Sequence, residues 1–172
     1  RQRGKRGRGH RPSRRAMHAT RPPPSIPKEP LLKEIPSPEQ FAARSLQSLD
    51  GLALECDGLS RSLSMLLQRD DIEHTVCVGE LVVDGVGRIA LHWWVELPGG
   101  VVCDARARMW LGSDKRVPHG VFRPESTQRY RVGETREMVC TPTTFWILTG
   151  KPLEAFPALQ SCANTGASCN FS

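Results

Sequence analysis

In "SPEQFAARSLQSLDGLAL", Phe41 and Leu49, with the small Ser45 between them, fall on one helical face. Ser37 is placed to cap such a helix and Pro38 suits its first position. Gln40 stands where a capping-box partner reaches back to the Ser37 amide, and Asp50-Gly51 marks the break. A second helix is predicted from Cys56 in "CDGLSRSLSMLLQRD". There Leu59, Leu63, Leu66 and Leu67 form the apolar stripe, which leaves Ser60, Arg61 and Arg69 for the opposite side.

Beyond "DDIEH" the pattern changes to that of strands. "TVCVGELVV" is β-branched and apolar, "DGVG" is a turn, "RIALHWWVEL" is the next strand, and "PGG" turns the chain back into "VVCD". A three-residue connection, 97–99 or 98–100, sets Asp104 opposite His92 or Trp94 and leaves His92 and Asp104 on one face. A two-residue turn would separate them. The same register sends Ile89, Leu91, Trp93, Val95 and Leu97 to a core face, with Trp93 as a core tryptophan and Cys103 also on the core side. His92, Trp94 and Glu96 then share the other face, with Glu96 solvated.

The last third is less legible. "DARARMWLG" fits a strand extension, a loop or a short helix, "RYRVGETREMV" a strand or hairpin, and "TPTTFWILTGKPLEAF" an apolar closing segment. Helices followed by an antiparallel meander make the class α+β, with a Cys-bearing helix packed on the meander. One domain is expected over 35–158, between an N-terminal tail (1–34) and a loose C-terminal tail (159–172).

Charge alters the picture at the N-terminal end. Residues 1–30 hold ten Lys or Arg against one Glu, a balance of +9, whereas the remaining 142 residues hold 14 basic and 17 acidic side chains, a balance of −3. The body is therefore not a basic domain. Residues 1 to about 30 carry almost no aliphatic side chains, and the stretch 1–34 reads as a disordered Arg/Gly/Pro-rich tail. "RGKRGRG" fits a nucleic-acid or acidic-surface contact through residues 1–15, and equally a solubilising or targeting tail. Its positive charges are not followed by the apolar run of a secretory signal, and no stretch is long and apolar enough to span a membrane. A soluble, cytoplasmic protein without membrane partners is the expectation. Since the chain begins at Arg1, an upstream signal stays open, as does the oligomeric state.

The six cysteines contain no CxxC pair. Most read as small buried hydrophobes, and only Cys162 and Cys169, in "CANTGASC", are spaced to invite a local disulfide. Cys56 differs because of its place at a predicted helix start. Unpaired amides and the positive end of the helix dipole favour a thiolate there. A histidine paired with a carboxylate has its tautomer fixed and its imidazolium stabilised, which is what a general base needs. Cys56, His92 and Asp104 thus make a candidate triad of nucleophile, base and orienting acid.

The order and setting of these residues carry a resemblance. "ECDGLSRSLSMLL" followed by "HWWVELPGGVVCD" resembles the transglutaminase-like branch of the papain-like cysteine enzymes. Cys56 and Ser60 match a Cys-x-x-x-Ser segment after the nucleophile, and His92, Trp94, Val95 and Glu96 match His-x-Trp-Val-Glu before the turn that leads to Asp104. The likeness covers residues 52–112, about a third of the chain. Asp104-Ala105-Arg106 stands where the family often continues Asp-Pro-Thr, and Glu55 precedes Cys56 where a small residue is common. The resemblance implies a thiol-dependent acyl-transfer enzyme acting on an amide of a protein or peptide: a protease, amidase, deamidase or transglutaminase. It implies no cofactor and no metal. Gln47, nine residues before Cys56, takes the place of a second oxyanion donor, and Trp94 that of a cleft wall beside His92.

Two rivals belong to other classes. A zinc site drawn from His92, Cys103, Asp104, His119 and Cys140 lacks the close ligand spacing of a strong motif. His119, in "VPHGVF", is also the rival base, without an evident carboxylate partner. A non-enzymatic interaction module with a nucleic-acid-binding tail explains the +9 balance but leaves Cys56, His92 and Asp104 unrelated.

Overall fold

The computed structural model describes residues 36–138 and 141–159. The expectations for the basic tail, for Cys140 and for a Cys162–Cys169 disulfide lie outside these residues. The fold is α+β, built on a five-stranded antiparallel sheet.

Helix α1 runs Pro38–Asp50 and begins with the capping box: Ser37 Oγ accepts from the Gln40 amide at 3.2 Å, and Gln40 Oε1 accepts from the Ser37 amide at 3.0 Å. It buries Phe41, Ala42, Ser45, Leu46 and Leu49. Helix α2 runs Cys56–Arg69 and packs on α1 and on three later elements, the strands β1 (Thr75–Val83) and β2 (Gly87–Leu97) and the helix α4 (Pro142–Thr149). With neighbours on so many sides it is buried almost all round, including Gly58, Ser60, Ser62 and Ser64. Ser60 is therefore not on a solvent face. Small side chains on that side of α2 are what let neighbouring elements come close, and a helix buried all round is the central helix of its core.

The meander continues with β3 (Val101–Asp104) and β4 (Gly120–Phe122), and β5 (Gln128–Arg136) returns to the far side of β1, giving the order β4-β3-β2-β1-β5. Between β3 and β4 lies the short helix α3 (Ala107–Leu111). "DARARMWLG" is thus a strand end leading into a helix, "RYRVGETREMV" supplies a single edge strand, and the closing segment is helical at Pro142–Thr149.

Register decides what meets what. The β2–β3 connection is Pro98-Gly99-Gly100, with Leu97 paired to Val101 and Val95 to Cys103. Gly99 and Gly100 take φ of 79° and 75°, the left-handed region that glycine enters without a Cβ clash. The even register holds. One face of the sheet, carrying Val76, Val95, Leu97, Val101 and Cys103, packs on the leucines of α1 and α2. The other face carries Cys77, Trp94 and Val102, and further along Leu81, Val83 and Ile89 under Ala107 and Val117.

Two expected core positions are corrected by a bulge. Gly79 pairs with His92 but Leu81 pairs with Ile89, so two steps along β1 answer three along β2. An extra residue inverts the alternation. Ile89 moves to the His92 face, and Leu91 is 69 % exposed rather than in the core. The tryptophans also differ from expectation. Trp94 is fully buried between Cys77, Val102 and Tyr130, whereas Trp93 is half-buried under the Arg61 guanidinium, 5.3 Å from its ring centre. Glu96 is half-buried and accepts from Trp94 Nε1 at 2.9 Å instead of facing solvent alone.

Candidate active site

His92 and Asp104 lie where the sheet begins to open. The β2–β3 ladder ends at Val95 and Cys103, so Asp104, the last residue of β3, is free to turn its side chain across to His92. His92 Nε2 and Asp104 Oδ2 are 2.7 Å apart, and the two residues are 0 % and 2 % exposed. Three further donors complete the carboxylate. Tyr130 Oη donates to Oδ2 at 2.8 Å, and the amides of Arg106 and Ala107 donate to Oδ1 at 2.8 and 3.2 Å. Burial alone would push the Asp104 carboxyl upward, but the His92 hydrogen bond and charge, the Arg106 amide and the Tyr130 hydroxyl hold it below the ordinary carboxylate value. A carboxylate with its lone pairs filled by donors stays ionised even when dry.

The partner responds in the opposite sense. Burial pushes His92 down, yet hydrogen bonding to Asp104 and the closeness of Cys56 outweigh it and raise His92 to about 9. Around neutral pH the pair is carboxylate and imidazolium. With Nε2 engaged by Asp104, the ring nitrogen left over is Nδ1, which makes no full hydrogen bond. The Cys56 side chain comes near enough to favour the charged ring, so sulfur and ring are in close approach without a closed bond. Cys56 is the first residue of α2, and its preceding residue, the exposed Glu55, supplies no side-chain cap to the open amides of the first turn. It keeps 9 % exposure, the most of the three.

The other expected residues fall elsewhere. Gln47 is on the exposed side of α1, lining a cavity of about 270 Å³ with Asp50, Ala105 and His119, to which none of Cys56, His92 and Asp104 contributes. Trp94 does not wall a cleft. Fully buried, it stacks beside His92 with ring centres 6.2 Å apart and meets Tyr130 edge-on at 5.0 Å. His119 does have a carboxylate partner, Asp50, with Nε2 3.3 Å from Oδ2. That pairing, and the turn of Cys103 to the helix face, disperse the zinc set, and among the described residues no three His, Cys, Asp or Glu side chains gather to hold a metal ion. Cys77 and Cys103 are pushed up to about 12 by burial, with help from Glu96 for the first and from Asp104 and Glu39 for the second, so both remain neutral thiols.

Tyr130 and the Arg106 amide are the functional groups that sequence reasoning missed. Tyr130 lies 26 residues beyond Asp104, and only the pairing of β5 with β1 carries it there. It is the sole tyrosine of the chain, which was the available signal. Its phenol is held well above its ordinary value by burial and by the Asp104 charge, so it acts as a donor only. The approach of β5 depends on Gly79, where a Cβ would stand 2.0 Å from the Arg131 carbonyl oxygen.

Comparison with family models, curated proteins and solved structures finds no match to this chain.

Proposed function

We propose that the protein is a thiol-dependent acyl-transfer enzyme of the transglutaminase-like or papain-like kind, with Cys56 as nucleophile, His92 as proton carrier and Asp104 as the group that orients His92. The observation that carries this reading is the buried His92–Asp104 pair at 2.7 Å with Cys56 close to the same ring. An imidazole raised to about 9 is a poor base for a neutral nucleophile at pH 7. It is well suited to stand as imidazolium beside a thiolate.

In the proposed reaction the Cys56 sulfur attacks the carbonyl carbon of an amide and the π electrons move to oxygen. The amides of the uncapped first turn of α2 face that oxygen's developing charge. As the tetrahedral intermediate collapses, the C–N bond breaks and His92 gives its proton to the leaving amine, leaving a thioester on Cys56. Water or a second amine then attacks the thioester while His92 takes its proton, and the sulfur departs as the thiolate. Asp104 stays ionised throughout and holds the ring through Nε2. The substrate class is an amide of a protein or peptide, and the acceptor decides between hydrolysis, deamidation and transamidation.

The test is selective modification. Iodoacetamide and a peptide amide bearing an electrophilic warhead should label Cys56 before the other cysteines, and His92→Gln should slow that labelling about tenfold or more near neutral pH, because the charged ring beside the sulfur is lost. Labelling of Cys56 at an equal rate in both proteins would remove the proposal.

The +9 balance of residues 1–30 supports a second property beside this one, a contact of residues 1–15 with nucleic acid or another acidic surface. Salt-dependent retention on a polyanion that is lost on deleting residues 1–15 would establish it. Retention unchanged by the deletion would not.

A further inference from the structure

We infer that Arg106 is a positioning residue that sets Cys56 against His92, an inference that rests on the thiol–imidazole reading above. Arg106 follows the orienting carboxylate by two residues, and its own amide donates to Asp104 Oδ1. Its side chain then turns away from the pair and is buried, the residue being 5 % exposed. A guanidinium has five N–H donors in a fixed plane. Here each has an acceptor: Nε reaches the Leu54 carbonyl at 2.6 Å, Nη1 the Asp50 carboxylate and the Ala105 carbonyl at 3.1 Å, and Nη2 the carbonyls of Asp50 at 3.0 Å and Leu52 at 3.1 Å.

Three of those carbonyls, of Asp50, Leu52 and Leu54, belong to the end of α1 and the turn that delivers the chain to Cys56. Leu54 is two residues before the thiol. Glu55 contributes no cap, so the entry to α2 is fixed from outside the helix. A closed circuit results. Cys56 approaches His92, His92 is bonded to Asp104, Asp104 to Arg106, and Arg106 to the turn that ends at Cys56. The circuit fixes sulfur and ring by their connections through one residue. The Asp50 carboxylate, which His119 also approaches, neutralises the buried guanidinium, and this is what makes a charged group tolerable there.

Lysine cannot take this place. Its three donors and single charge would serve Asp50 and leave buried carbonyls of the turn without partners. The full chain carrying Arg106→Lys is therefore compared with wild type and with His92→Gln, by amide hydrogen exchange over residues 50–56 and by the rate at which iodoacetamide modifies Cys56 between about pH 6 and pH 9. Arg106→Lys should keep native circular dichroism, raise exchange in the 52–56 turn, and slow Cys56 modification near neutral pH about tenfold or more, toward His92→Gln, as a small misplacement of reacting groups does. Unchanged exchange in the turn, or faster exchange with unchanged modification, overturns the role of Arg106 while leaving the thiol–imidazole reading intact. Wild-type modification no faster than that of His92→Gln overturns the reading and the inference together. Should Arg106→Lys not fold, Asp50→Asn carries the same comparison, since it weakens one acceptor of the fork, and equal modification rates in Asp50→Asn and wild type would again count against the inference.

Discussion

His92 and Tyr130 converge on one atom: both bond to Oδ2 of Asp104, at 2.7 and 2.8 Å, from strands on opposite sides of β1. The carboxylate that orients the histidine is thereby held by the far edge of the sheet as well as by its neighbour.

Tyr130→Phe removes one donor and little volume. A hydrogen bond to a charged group contributes about 1.5–3 kcal/mol, and the variant should lose about that much stability in urea denaturation. Relieved of one competitor, Asp104 becomes a stronger acceptor for His92, so an NMR titration should place the His92 ring at or above its wild-type midpoint. A clear fall in that midpoint would show that Tyr130 supports the ion pair in some other way.

Removing one member of a buried pair leaves the other charge without compensation. Asp104→Ala should cost about 3–5 kcal/mol, more than Tyr130→Phe, and should bring His92 down from about 9 to below its ordinary value of 6.5, because burial is then opposed only by Cys56. Equilibrium unfolding and the same titration check both parts.

Stability should follow pH on two limbs. His92 is raised in the folded protein, so its contribution is complete below about pH 6.5 and is lost as pH rises through about 9. Asp104 is lowered, so its contribution is present above its ordinary value of 3.8 and is lost as pH falls through its folded value. Thermal midpoints should decline on both sides, and His92→Gln should flatten the alkaline limb. An alkaline limb unchanged in His92→Gln would assign it to another group.

Gly79→Ala tests the link between the sheet edge and the site. Its Cβ would meet the Arg131 carbonyl at 2.0 Å, so β5 must shift. Overpacking of this kind costs about 1–3 kcal/mol, and near-ultraviolet circular dichroism should report the altered packing of Tyr130 on Trp94. A native spectrum with native stability would mean that β5 holds Tyr130 without needing that contact.

The elements that local rules govern were legible in the chain. The capping box at Ser37 and Gln40, the helix start at Cys56, and the Pro98-Gly99-Gly100 turn that keeps His92 and Asp104 on one face all follow from short-range chemistry. Where the structure departs from expectation, the cause lies in long-range pairing. The β2 bulge that exposes Leu91 is invisible in an alternating pattern, because one added residue inverts a period of two without changing composition. Ser60 reads as polar yet is buried, since α2 is enclosed by α1, β1, β2 and α4, elements that only the tertiary fold brings around it. Tyr130 and the Arg106 guanidinium reach the site only through tertiary contacts 26 and 52 residues away in sequence, to Asp104 and Leu54.

The most direct measurement is the pH dependence of Cys56 alkylation, followed by peptide mapping, in wild type and His92→Gln. With His92 charged up to about 9 beside the sulfur, Cys56 should be alkylated about tenfold or more faster in wild type than in His92→Gln near neutral pH, and the difference should fade as pH rises through about 9 and the ring loses its charge. Two coincident profiles would contradict the account.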